Sequence, residues 1–81
     1  MQEKVAVIGI IILNRKESAS KVNQVLADYA SIVVGRIGVP YRKRDIFVIS
    51  IIVDGTNETI GALTGKLGNI QGVKTKVSVT Y

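Results

Sequence analysis

Two stretches of this 81-residue chain, Val5 to Leu13 (VAVIGIIIL) and Ile46 to Val53 (IFVISIIV), are apolar at nearly every position, odd and even alike. Successive side chains of a strand point to opposite faces, so strands of this composition want both faces of their sheet dry. A chain of this length buries only about 60% of the surface that its unfolded form exposes. It struggles to cover one sheet on two sides, which points to a second subunit as the other cover.

Composition narrows the chemistry. The length fits one compact domain spanning residues 1–81, and a hydrophobic fraction of 47% sets the chain apart from disordered sequences. Cysteine and histidine are both absent. The chain therefore has no disulfide framework, no thiolate nucleophile, no imidazole base and no Cys or His metal cluster. Six carboxylates (Glu3, Glu17, Asp28, Asp45, Asp54 and Glu58) are scattered without the spacing of a calcium loop. No metal or other cofactor is expected, and the expectation is a protein that is not an enzyme. The net charge of +5 comes from eleven basic residues spread along the chain, of which only Arg42, Lys43 and Arg44 form a run. A bilayer span needs about 20 apolar residues, more than either run supplies. Asn14, Arg15 and Lys16 stand where a secretory signal would need its small-residue cleavage site. The expected compartment is the cytoplasm, with no membrane partner.

Asn14, followed three residues later by Glu17, has the spacing of a helix N-cap. Beyond it Ala19, Val22, Leu26 and Tyr29, with Val25 and Ala30 beside them, recur at helical spacing and predict a helix over 15–30. Its solvent face carries Lys16, Ser20, Lys21, Gln24 and Asp28. Residues Ile32 to Val39 read as an edge strand weakened or bulged by Gly35 and Gly38 and ending at Pro40. The short link from Tyr41 to Asp45 makes it the hairpin partner of the second apolar run. Asp54 and Gly55 read as the turn ending that run, with Thr56 or Asn57 capping a second helix over 57–67 that buries Ile60, Leu63 and Leu67. Val73, Thr75, Val77, Val79 and Tyr81 alternate with polar residues as a half-buried last strand.

The order βαββαβ is the ferredoxin-like split βαβ pattern, an α+β fold with two helices on one face of a four-stranded antiparallel sheet. In it the first and third strands lie at the centre. The two uniformly apolar runs occupy those positions.

Two features carry candidate chemistry. Gly61 and Gly65 sit four apart in the second helix, where each interior glycine costs about 0.5 to 1 kcal/mol relative to alanine. They serve either a close approach by another backbone or a ligand, or tight packing onto the first helix near Ala27 or Ala30. In the segment Gly35 to Arg42, Gly35 and Gly38 would let an anion approach backbone while Arg36 or Arg42 clamps it. The same residues could equally bulge and turn an edge strand. The segment matches neither a P-loop nor a dinucleotide fingerprint. Arg42 to Arg44 beside Tyr41 and Phe47 also offers a basic patch with aromatics. An RNA-recognition sheet, however, displays aromatics on its central strands, where this chain has aliphatics, so direct nucleic-acid binding by the sheet is not expected.

The segments Gly35 to Arg42 (GRIGVPYR) and Thr59 to Lys76 (TIGALTGKLGNIQGVKTK) resemble the small family of proposed iron-only hydrogenase system regulators, and the resemblance covers essentially the whole chain. That family is similar in architecture to ACT domains and to the C-terminal domain of nickel-responsive repressors, regulatory groups that assemble through sheets or sheet edges. The resemblance implies an ACT-like, non-catalytic regulatory or sensor domain tied to an iron hydrogenase. Nickel ligation does not carry over, because the chain has neither His nor Cys. Nor does the glycine turn of many amino-acid-binding ACT domains, since Asn14, Arg15 and Lys16 stand in its place. The expectation is a homo-oligomer, dimer or tetramer, formed through the sheet. A small molecule or protein partner would bind at a subunit boundary near Gly35, Arg36, Gly38, Arg42, Gly61 and Gly65. The alternatives are a nucleic-acid-binding protein using Arg42 to Arg44, and a structural subunit of a larger complex.

Overall fold

The structure is a computed structural model that describes residues 3–13 and 15–81, with the side chains of 15 and 16 outside the description. The N-cap expected at Asn14, and the solvent position expected for Lys16, lie outside the described residues. Strands β1 (Glu3–Ile12), β2 (Val33–Tyr41), β3 (Ile46–Thr56) and β4 (Val73–Val79) alternate with helices α1 (Arg15–Asp28) and α2 (Asn57–Gly68) in βαββαβ order. The sheet order is β2-β3-β1-β4 and every pairing is antiparallel. The two apolar runs are the central strands, as the sequence predicts.

Strand pleating sorts the sheet into two sides. Ala6, Ile8, Ile10 and Ile12 of β1 and Ile49, Ile51 and Val53 of β3 point toward the helices and are fully buried. They pack with Val22 and Leu26 of α1 and with Ile60, Leu63 and Leu67 of α2. Complete burial of such a side chain contributes about 1.5 to 3 kcal/mol, so this layer is the principal source of stability. Helix α1 lies beside β2, as the Arg36 to Asn23 hydrogen bond of 3.0 Å shows. Helix α2 lies toward β4, where Gly68 sits above Thr75. Lys66 stands 5.1 Å over the Tyr29 ring and joins the C-terminal ends of the two helices.

Several boundaries differ from the sequence reading. Helix α1 ends at Asp28 and passes into a 3-10 turn, Ala30–Ile32, so Ala30 is exposed rather than part of the apolar face. Ser18, which apolar periodicity passes over, is buried and donates to the Gln71 carbonyl at 2.7 Å, fastening the start of α1 to the turn before β4. Strand β2 continues through Pro40 to Tyr41. An edge strand tolerates proline because one side of its backbone needs no ladder partner. Of its two glycines only Gly35 stands at a bulge: the register shifts between Val33 and Gly35 and runs unbroken through Gly38. Asp54 and Gly55 do not form a turn: β3 runs on to Thr56, and Gly55 is buried with its Cβ position 3.3 Å from the Ile32 side chain. Thr56 caps α2 by accepting from the Thr59 amide at 3.1 Å.

Candidate functional site

The side of the sheet away from the helices is open. Register places Val5, Val7, Gly9 and Ile11 of β1 beside Asp54, Ile52, Ser50 and Val48 of β3. Ile37, Val39 and Tyr41 of β2 extend the same face on one flank. Ser78, Lys76 and Lys74 of β4 border it on the other, opposite Val7, Gly9 and Ile11. Val7, Ile37 and Ile52 are 39%, 64% and 45% exposed. Leu13, Val39 and Tyr41 are exposed with them. Contiguous aliphatic surface of this kind, rimmed by polar residues, differs from the scattered single exposures of an ordinary surface.

The face is not flat. Gly9 is the only glycine of β1, and apart from its own chain neighbours no described residue has a heavy atom within 4 Å of where its Cβ would stand. Ser50, the only hydroxyl residue of the run 46–53, pairs with it from one side and Lys76 from the other. The result is a depression of about 440 Å³ whose lining includes Ile11, Val48, Ser50, Lys74 and Lys76. Each of these residues reads in sequence as one member of a strand pattern. A lone glycine and a lone serine in the two apolar runs are visible there, but only the pairing register makes them neighbours.

The residues singled out from sequence are distributed over the molecule. Gly35, Arg36 and Gly38 lie on β2 and Arg42 on the exposed 3-10 turn Arg42–Arg44. Arg36 points to the helix side, in register with Ile51, where its guanidinium donates to Asn23. Gly38 makes room for an aromatic ring, since its Cβ position is 3.2 Å from Cζ of Phe47. Gly61 and Gly65 are exposed on α2 with nothing within 4 Å among the described residues. Packing onto α1 near Ala27 or Ala30 therefore does not explain them. Helix α2 stands toward β4 and the Gly35 to Arg42 segment on β2, at opposite edges of the sheet. One chain does not bring the two groups together. A site using both would have to form between subunits.

Among the described residues no group of His, Cys, Asp or Glu could hold a metal ion, and no helix is long and apolar enough to cross a membrane.

A solved structure of an uncharacterized protein from Thermotoga maritima, TM1266, superposes with a TM-score of 0.95 at 30% identity, covering 99% of this chain and 100% of that one. A formyltetrahydrofolate deformylase from Pseudomonas putida KT2440 shares the fold alone. Its TM-score is 0.66 at 10% identity, and the match covers 94% of this chain but 29% of the deformylase. No curated protein matches the sequence. The ACT-like βαββαβ architecture and its near-complete superposition on TM1266 agree with a family model that matches residues 4–77, and the chain belongs to that family, TM1266-like, described as "Iron-only hydrogenase system regulator, putative".

Proposed function

We propose that this protein is a non-catalytic regulatory domain of an iron-only hydrogenase system that works as a homo-oligomer, with the open sheet faces of two copies covering one another. The observation that carries this reading is the contiguous aliphatic face built by Val7, Ile11, Val48, Ile52, Ile37 and Val39. Water on the open side of β1 and β3 would waste half of the apolar character those strands encode. Family membership supports the regulatory part of the reading. The absence of His and Cys from the sequence removes the residue types most often used as bases and nucleophiles, which supports the non-catalytic part.

Such a domain acts by changing what it binds. A ligand or partner shifts the population of the assembled form only to the extent that it binds that form better than the separate one. Sedimentation equilibrium at micromolar concentration tests the pairing: the unaltered protein is expected as a dimer or tetramer, and Ile52→Glu as a monomer with an unchanged far-ultraviolet circular dichroism spectrum. A monomeric unaltered protein would falsify it. Deleting the gene in a host that carries an iron-only hydrogenase tests the regulatory role, the expected result being altered hydrogenase activity or transcript level, and unchanged levels of both overturning it.

A further inference from the structure

We propose that the depression centred on Gly9 binds a small aliphatic carboxylate, its hydrocarbon body lying along the open sheet face and its carboxylate held by Lys74 and Lys76. This rests on the regulatory reading above and deepens it: in the pair, the hollow left by Gly9 lies between the two covering faces, and a ligand held there belongs to the interface.

The depression exists because of one residue. Gly9 interrupts a strand whose neighbours are Val7, Ile8, Ile10 and Ile11, a position where glycine weakens a sheet and a β-branched residue strengthens it. Nothing in the fold requires glycine here. Apart from its chain neighbours, no described residue crowds its Cβ position, and its backbone does not occupy the left-handed region. Glycine inside a strand without a bulge commonly marks a point where a ligand or another backbone comes close. An added Cβ would rise into the middle of the depression.

The lining selects the ligand. Ile11 and Val48 give the floor its aliphatic surface, and the Ser50 side chain, alone in its run, supplies a hydroxyl beside Gly9. Lys74 and Lys76 stand two residues apart on β4, so they project to the same face about 7 Å apart along the strand. Two ammonium groups at one rim of an apolar hollow favour a ligand with an apolar body and a negative head. The lining includes no aromatic ring on which a nucleobase could stack and no arginine to grip a phosphate in two-pronged fashion. Asp54 belongs to the same face but lies beside Val5, two rungs of alternate residues from Gly9. That leaves the lysine rim without an acidic neighbour in the lining.

Isothermal titration calorimetry with octanoate tests the proposal, with octanamide as the uncharged counterpart. The unaltered protein is expected to give saturable heat with octanoate. Octanamide, and octanoate added to the Lys74→Gln/Lys76→Gln double variant, are each expected to bind at least tenfold more weakly. Gly9→Val fills the hollow and is expected to abolish binding. The lysine variant changes only exposed edge positions, so it keeps the test valid should the valine variant fail to fold. No saturable heat at millimolar octanoate, or binding unchanged in the lysine variant, overturns the proposal. Sedimentation of the same samples separates this inference from the pairing: a dimer that gives no heat overturns the ligand and keeps the pairing, whereas a monomer that binds octanoate does the reverse.

Discussion

Thr75 lies on the helix side of β4, opposite Ile10, and its Oγ1 is buried without a hydrogen-bond partner among the described residues. A buried hydroxyl in that condition has lost its water without replacement, and an isosteric apolar side chain removes the penalty. Thr75→Val is therefore expected to stabilise the protein by about 1 kcal/mol. For a domain of this size that raises Tm by roughly 4 to 8 °C in a calorimetric scan. Gly55 gives the opposite result at the same scale. Its Cβ would press on Cγ2, Cδ1 and Cβ of Ile32 at 3.3 to 3.6 Å, contacts with a stiff branched side chain in a packed region. Gly55→Ala is expected to lower stability by about 1 to 3 kcal/mol in urea unfolding. The sequence invites a turn at Asp54-Gly55, because that dipeptide commonly makes one. What defeats the inference is the close approach of Ile32, a contact between residues more than twenty positions apart.

At the scale of elements, α2 is well specified by its own residues. The Thr56 cap, Glu58 in the first turn, Lys66 in the last and the buried stripe Ile60, Leu63 and Leu67 all sit where helix physics wants them. Its two exposed interior glycines are the exception. Because open space surrounds both Gly61 and Gly65, Gly61→Ala and Gly65→Ala are each expected to stabilise the isolated protein by about 0.5 to 1 kcal/mol, additively in chemical denaturation. A loss of stability would show that another copy packs closely there. Strand β4 shows the limit of periodicity as a guide to burial. Val73 is buried, yet Val77 and Val79, on the same side, are 39% and 48% exposed and Tyr81 lies beyond the strand. Alternation correctly assigns the face, but how far a helix reaches along that face belongs to the packing of a different element.

For the whole molecule the consequence of an open aliphatic face is mass action. Assembly that buries it stabilises the folded state in proportion to the logarithm of protein concentration. The apparent Tm of the unaltered protein is expected to rise across a hundredfold increase in concentration, and that of Ile52→Glu to stay constant. Scanning fluorimetry over that range checks both, and parallel curves for the two proteins would contradict assembly through this face. The candidate site was legible only in part. Two-sided apolarity of residues 5–13 and 46–53 announced a sheet with a second face to cover. The glycines and arginines of Gly35 to Arg42 stand out because they cluster in sequence, whereas Gly9, Ser50 and Lys76 are separated by 41 and 26 positions and meet only across strands.

The sequence by itself determined the order of elements, the identity of the central strands and the buried stripe of α2. Those depend on local periodicity, capping and composition, which act between near neighbours in the chain. Only the tertiary structure decided which glycines are packed and which stand in the open, where β3 ends, and that a hydroxyl, a glycine and a lysine share one row of the exposed face. These are set by strand register and helix placement, which join residues far apart in sequence and follow from the energy of the whole core rather than from any one segment.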